Sequence, residues 1–266
     1  MEQMGNLLPK SQSLASSCDW DQRQLELMNA HRVESGLYNC PLCGNKGVIF
    51  RRTESGEIVA TPCKCRKTRE SIRLMKRSGL EQSIRSQTFE SYHAVDPWQK
   101  NILDKAMAYA AHPEGWFFIG GQVGCGKTHI CTAIIRKLLL EGRGAKYFPW
   151  RDVSQLKGIH GNDLAEALDA LRGVSVLYMD DFFKGGTMAS DGKIKPSAAD
   201  LNIAFEIINH RYINKDLITI FSSEKSIDEI MELDEAVGSR IYQRTKGNYL
   251  YISPDSRKNY RMEGEI

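Results

Sequence analysis

Residues 116–129 read "WFFIGGQVGCGKTH". A short apolar run leads into a glycine loop, and the loop leads into "THICTAIIRKLLLEG", which has a helical pattern. The loop (Gly121, Gln122, Val123, Gly124, Cys125, Gly126, Lys127, Thr128, with His129 after it) fits G-x-x-x-x-G-K-[ST]. Gly121, Gly124 and Gly126 allow the backbone to wrap until its N–H groups point at phosphate oxygens. A helix opening directly behind them favours the same anion. In this strand–loop–helix context Lys127 is expected to reach the β- and γ-phosphates of a nucleoside triphosphate, and the Thr128 hydroxyl to ligate Mg²⁺.

Outward from the loop the pattern alternates. A helix over 98–111 precedes it, and a strand "KYFPW" and a helix near 162–172 follow. Then come a strand "VSVLYMDD", a helix "SAADLNIAFEIINHRYIN" and a strand "LITIFSS". Apolar strands alternating with helices imply an α/β fold with a mostly parallel sheet covered on both faces. "VSVLYMDD" ends in two carboxylates about fifty residues after the loop. Asp180 is expected to bind Mg²⁺, directly or through water, and Asp181 to orient the attacking water. Paired acids suit hydrolysis better than transfer to a small molecule. If "LITIFSSEKS" neighbours the Asp180 strand, Ser222, Ser223 and Glu224 lie beside the phosphates. "DEAVGSRIYQR" sets Arg240 and Arg244 one helical turn apart. Solvated or structurally paired arginines and an arginine finger supplied in trans are both compatible with that spacing.

The N-terminal third is different. "NCPLCGNKG" and "TPCKC" place Cys40, Cys43, Cys63 and Cys65 as C-x₂-C, nineteen residues, then C-x-C. Four thiolates make a closed tetrahedral Zn²⁺ site, structural rather than catalytic. "GVIFRRTESGEIVA" between them reads as a hairpin turning near Ser55-Gly56, too small to fold without the metal. A short amphipathic helix is expected over 21–37, with Leu25, Met28 and Val33 near one face. A basic helix is expected over 64–78, placing Arg66, Arg69, Arg73 and Lys76 at helical spacing and stopping at Gly79. That face suits nucleic acid, an acidic protein surface or plain solvent.

Composition bounds the rest. The 266 residues are 41% apolar and 26% charged, with a net charge of +3. Any nucleic-acid affinity must therefore come from local patches. The first residues lack a secretion-signal layout, and no apolar run reaches the length of a membrane span. A cytoplasmic protein with no membrane partner is expected, and a cysteine cluster there favours metal over disulfides. The expected organisation is a tail and short helix (1–37), a zinc module with its basic helix (38–79), a linker (80–97) and a nucleotide-binding domain (98–266).

The ordered set "MKRSGL", "TFESY", "WQKNILDKAMAYA", "GGQVGCGKTH", "YFPW", "YMDD", "LNIAFEIINHRY", "ITIFSSEKSIDEI", "GSRIYQRTKGNYLYI" and "NYR" resembles the DnaC/DnaI-type replicative helicase loaders, particularly phage and prophage versions. The resemblance covers roughly residues 38–262. It implies an AAA+ ATPase core without a helical lid domain, and ATP-dependent loading of the hexameric replicative helicase onto single-stranded DNA. It also implies docking of the zinc module on the helicase and self-association through the ATPase domain. Lys127 and Thr128 match the Walker A pair, Asp180 and Asp181 the Walker B pair. Arg240 matches the arginine finger, and Arg261 of "NYR" the second sensor arginine. Many relatives carry Asn where Glu224 stands; a carboxylate there would repel the γ-phosphate, so Ser223 is the expected sensor. Tyr147, Phe148 and Trp150 lie near where loaders present a strand to DNA, and either base stacking or burial in the sheet fits them. An IstB-type transposition helper acting on duplex DNA shares the core, but usually carries a metal-free N-terminal part.

Overall fold

The computed structural model describes residues 17–33, 39–76, 80–188, 192 and 194–260. Its contacts divide the chain into two units, Met1–Arg66 and Lys67–Ile266.

The first unit contains helix α1 (Ser17–Ala30) and a hairpin of β1 (Val48–Arg52) and β2 (Ile58–Pro62). The strands pair antiparallel from Val48 opposite Pro62 to Arg52 opposite Ile58. They turn as expected at Gly56, whose φ of 89° suits glycine. There Gly56 N–H donates to Thr53 O (3.0 Å) and Thr53 N–H to Glu57 O (2.8 Å). Asn29 docks α1 on the hairpin, donating to Phe50 O (2.9 Å) and accepting from Phe50 N–H (3.0 Å). The helix starts and ends earlier than the apolar spacing suggested. Met28 and Val33 are exposed rather than part of a buried stripe. Residues 34–38 lie outside the described residues.

In the second unit, helix α2 (Cys65–Met75) crosses the division between the units and buries Thr68, Ser71, Ile72 and Met75. Gly79, its expected stop, is outside the described residues. Helix α3 (Glu81–Ser86) stands within the expected linker. Helix α4 (Pro97–Ala111) starts where chemistry dictates, with Pro97 in the first turn and Asp96 N–H donating to Gln99 Oε1 (2.6 Å). Then follow β3 (Phe117–Gly121), α5 (Lys127–Leu140), β4 (Ala145–Pro149), α6 (Val153–Lys157), α7 (Asn162–Arg172) and β5 (Val176–Asp180). A small hairpin of β6 (Thr187–Met188) and β7 (Ile194–Lys195) precedes α8 (Ala198–Ile213). The remainder is β8 (Ile218–Ser222), α9 (Ile227–Leu233), α10 (Glu235–Arg244) and β9 (Tyr249–Ile252).

Five strands form one parallel sheet in the order β4-β5-β8-β3-β9. Every residue of β3, β5 and β8 is buried, so both faces are covered, as the alternating pattern implied. One face (Phe118, Leu177, Met179, Phe221) packs with residues of α7, α8, α9 and α10. On the other, Phe117 meets Tyr109 of α4 at 5.2 Å. The β8 strand does lie beside the Asp180 strand, and also beside β3.

Three features hold the sheet. Ser71 Oγ accepts from Ala145 N–H (3.0 Å), satisfying a donor at the start of edge strand β4. Phe148 and Trp150 settle into the core rather than facing DNA. Trp150 packs edge-on to Phe182 (4.8 Å) and Phe183 (5.2 Å), an aromatic cluster that leaves no free face for a base. Across the sheet, Arg211 of α8 is fully buried. Its guanidinium donates to Thr219 Oγ1 (2.9 Å) and to the carbonyls of Leu171 (3.0 Å), Arg172 (2.9 Å), Val174 (2.8 Å) and Ile218 (2.6 Å). It thus ties the chain entering β5 to the start of β8.

Candidate functional site

Parallel strands end on one edge of their sheet, and a crevice opens there where the strand order reverses. Gly121, Asp180 and Ser222 close β3, β5 and β8 at that edge. Ile119 pairs with Ser222, and Met179 with Phe221, so β5 and β8 end level and β3 runs two residues further.

The loop from Gly121 to Gly126 needs its glycines. A Cβ on Gly121 would sit 2.1 Å from Ile252 O, and one on Gly124 would sit 1.8 Å from Asn259 Oδ1. The backbone at both has positive φ, 122° and 81°. The C-terminal segment braces the loop: Tyr260 N–H donates to Gly124 O (3.0 Å) and Asp255 N–H to Gln122 Oε1 (2.6 Å). Lys127 is buried and its Nζ donates to Gly121 O (2.8 Å) and Gln122 O (2.6 Å). Cys125 Sγ donates to Gln122 O (2.9 Å), and burial pushes its thiol up. Val123 is half-exposed at the loop tip. His129 Nε2 bonds Thr88 O (2.8 Å), and its ring meets Tyr92 edge-on at 5.3 Å. Since Thr88 O can only accept, Nε2 carries the proton.

Thr128 Oγ1 donates to Asp180 Oδ1 (3.4 Å), joining the loop to the acidic strand end. Tyr178 (2.7 Å) and Ser222 donate to the same oxygen, and Tyr147 donates to Oδ2 (2.9 Å). Burial pushes both tyrosine hydroxyls up, so they remain donors. Tyr147 is thereby committed to Asp180 rather than to stacking. The backbone turns at Asp181, with φ of 51°, and the Asp181 N–H donates to Ser222 Oγ (3.1 Å). Phe183 also has positive φ, 58°. Left-handed backbone at bulky residues costs on the order of 1–3 kcal/mol and persists where packing imposes it. Here the stacked rings of Phe182 and Phe183, 4.1 Å apart, supply that packing.

The turn brings Lys184 back over the cleft. Its Nζ lies 3.1 Å from Asp181 Oδ2 and 2.8 Å from Glu224 Oε1. The cleft of about 200 Å³ is lined by Val123, Gly124, Gly126, Lys127, Thr128, Asp181, Lys184, Glu224 and Tyr260. Ser223 is not among them. It is fully buried, and its hydroxyl donates to Phe182 O (2.8 Å). The sequence signals Lys184 only as a cation three residues after Asp181.

Arg240 stands outside this cleft. It donates to Asn209 Oδ1 (3.1 Å) and Ala236 O (2.7 Å), and its guanidinium lies over Phe205 (5.2 Å) and Tyr212 (5.5 Å). Arg244 donates to the carbonyls of Tyr212 (3.2 Å), Lys215 (2.8 Å) and Leu217 (3.3 Å), a structural pairing. On α2, Arg73 pairs with Glu70. Arg261 lies outside the described residues.

In the first unit the four sulfurs of Cys40, Cys43, Cys63 and Cys65 lie within 4.8 Å of one another, all buried. Cys40 and Cys63 Sγ are 3.8 Å apart, Cys43 and Cys65 Sγ 3.4 Å. Tetrahedral Zn²⁺ with bonds near 2.3 Å wants sulfurs about 3.8 Å apart, so the thiols fit that ion with no ligand position left over. Gly47 N–H donates to Cys43 Sγ (3.3 Å). Burial raises the Cys43 thiol, but this amide and the neighbouring thiols outweigh it and draw it down to about 7. Asn45 fixes the knuckle, accepting from Cys40 N–H (2.7 Å) and donating to Val33 O (2.7 Å). No helix among the described residues is long and apolar enough to cross a membrane.

No family model matches the chain. It is 30% identical to the Bacillus subtilis protein YqaM over 90% of this chain and 91% of YqaM. It is likewise 30% identical to the phage-like element PBSX protein XkdC of Bacillus subtilis, over 87% of this chain and 89% of XkdC. It is 26% identical to the replicative helicase loader DnaC of Escherichia coli K12, over 68% of this chain and 71% of DnaC. The crystal structure of the DnaC helicase loader superposes with a TM-score of 0.51 at 20% identity, covering 66% of this chain and 99% of that one. A structure of the replication initiator DnaA bound to AMPPCP and single-stranded DNA gives a TM-score of 0.50 at 19% identity, covering 67% and 53%. The parallel sheet with its phosphate loop is thus an AAA+ core, and the chain belongs to the DnaC/DnaI-type replicative helicase-loader family.

Proposed function

We propose that this protein is an ATP-dependent loader that places the hexameric replicative helicase onto single-stranded DNA. The observation that carries the reading is the hydrogen bond between Thr128, which lines the cleft, and Asp180, 52 residues further along the sequence. ATP would lie with its phosphates on the loop amides and Lys127. Thr128 and Asp180 would hold Mg²⁺, which offsets phosphate charge when bound. Asp181 would orient the attacking water. Arg240, outside its own cleft, would complete the site of an adjacent copy when the ATPase domains self-associate, and Arg261 would act as the second sensor.

Residues 98–266 would then be the motor, 80–97 its entry segment and 38–79 the module that docks on the helicase. Supporting that docking role, the small first unit exposes Leu27, Met28, Val33, Leu42 and Val59. The cysteine site would hold Zn²⁺ and keep this surface folded. The names of the DnaC relatives support the same reading.

A pull-down with the cognate replicative helicase, with and without ATP and chelator, tests it. Co-purification that weakens when Zn²⁺ is removed is expected. Absence of helicase binding, together with capture of a transposase on duplex DNA, would replace this reading with the transposition helper.

A further inference from the structure

The sequence poses a problem at Glu224: a carboxylate beside a triphosphate repels it. The structure places Glu224 in the cleft wall, not facing away. It also supplies the cation that answers it. Lys184 Nζ is 2.8 Å from Glu224 Oε1 and 3.1 Å from Asp181 Oδ2. All three line the same cleft as Gly124, Gly126, Lys127 and Thr128.

We propose that Lys184 is a second phosphate-binding lysine, contacting the terminal phosphate of a bound nucleoside triphosphate from the wall opposite the loop. The proposal rests on the reading of this cleft as an ATP site. Three observations carry it. The lysine is half-exposed into the cleft, its side chain 47% accessible, so its ammonium can change partners without unfolding anything. Its two partners are carboxylates, and a phosphate oxygen offers the same acceptor chemistry with more charge. Finally, the cleft-lining charges balance only with Lys184 present. Lys127 and Lys184 face Asp181 and Glu224; without Lys184 the lining would be net acidic and oppose a polyphosphate.

The turn that delivers this lysine is built for the purpose. Asp181 and Phe183 hold left-handed backbone, and the buried rings of Phe182 and Phe183 anchor the segment. Lys184 therefore projects from a rigid corner rather than from a loose loop. When triphosphate is bound, Nζ shifts from Glu224 to the terminal phosphate; with a diphosphate it stays on Glu224. Lys184 would thereby read the number of phosphates, the task that a neutral side chain at position 224 would otherwise perform.

The test is equilibrium binding of ATP and ADP to the full-length protein in the presence of Mg²⁺. Lys184→Met is expected to weaken ATP binding about tenfold or more while changing ADP binding by no more than about twofold, the difference a lost charged contact produces. Lys184→Arg should retain most of the preference for ATP. Thermal melts of each variant check the fold. Glu224→Gln in the Lys184→Met background separates contact from mere neutralisation. If Lys184 touches the phosphate, the double variant remains weak for ATP. Restoration of the ATP preference in the double variant would overturn the proposal, as would equal losses for ATP and ADP in the single variant. Failure of the wild-type protein to bind either nucleotide would overturn the ATP-site reading itself, and this proposal with it.

Discussion

Replacing Arg211 by Met should cost the ATPase unit about 3–4 kcal/mol. Three of the five guanidinium contacts are fully buried, those to Thr219 Oγ1, Leu171 O and Ile218 O. Methionine roughly fills the stem but strands these acceptors, at about 1–3 kcal/mol each. Removing a buried charge returns part of that sum, since desolvating it cost several kcal/mol in the first place. The carbonyls of Arg172 and Val174 are only part-buried and can find water, so they add little. At about 2–4 °C per kcal/mol for a unit of this size, the midpoint of thermal unfolding should fall by about 10 °C. Circular dichroism of the full-length variant measures it. Amide exchange adds a local readout, because the N–H of Ile218 donates to Ser175 O (2.9 Å) at the tied strand ends and should lose protection first. A drop below about 3 °C would refute the reasoning, meaning that charge burial cancels the bonds it makes.

Other outcomes follow from single sites. Lys127→Ala should abolish ATP binding in an equilibrium assay, and undiminished affinity would sink the phosphate-loop assignment. Purified protein should contain one Zn²⁺ per chain; Cys63→Ser should lose it and expose the β1–β2 hairpin to protease, while ATP affinity stays within about twofold, as expected for a site in a separate unit. A metal content of zero in the wild-type protein would contradict this. Burial holds the His129 imidazole below its ordinary value of 6.5. The native state therefore resists the proton that the unfolded chain takes up, and stability fully present above about 6.5 is lost over the acidic range below it. Thermal midpoints across that range should drop for the wild type and flatten for His129→Gln; parallel curves would assign the pH dependence elsewhere.

Much of this molecule was legible in its sequence because the informative residues are neighbours in the chain. The glycine loop, the Asp180–Asp181 strand end and the C-x₂-C and C-x-C pairs each carry their geometry within a few residues. What was not legible depends on register across the sheet. Ser222, Ser223 and Glu224 are consecutive, yet one bonds Asp180, the next is sealed beneath Phe182 O and the third lines the cleft. Only the register of β8 between β5 and β3 assigns those three directions. Lys184 was hidden for a similar reason, because left-handed backbone at Asp181 and Phe183 folds it back over the site. The aromatics of "YFPW" were ambiguous until β4 proved to be an edge strand with Trp150 plugged against Phe182 and Phe183. Strand β9 was not anticipated at all, a short run that finds its place only by pairing with β3.

The two adjacent aspartates are held in unlike ways. Asp181 is tethered by an ammonium, whereas Asp180 sits in a cage of uncharged hydroxyls from Thr128, Tyr147, Tyr178 and Ser222. Hydroxyl donors orient a carboxylate without cancelling its charge. A cation meeting Asp180 would have no ion pair to break and little solvent to reorganise, because the carboxylate has already left bulk water. Its neighbour must first surrender a partner. One dipeptide thus sets a carboxylate held by neutral donors beside one held in an ion pair, so a ligand meeting the first displaces hydroxyls and one meeting the second displaces an ammonium.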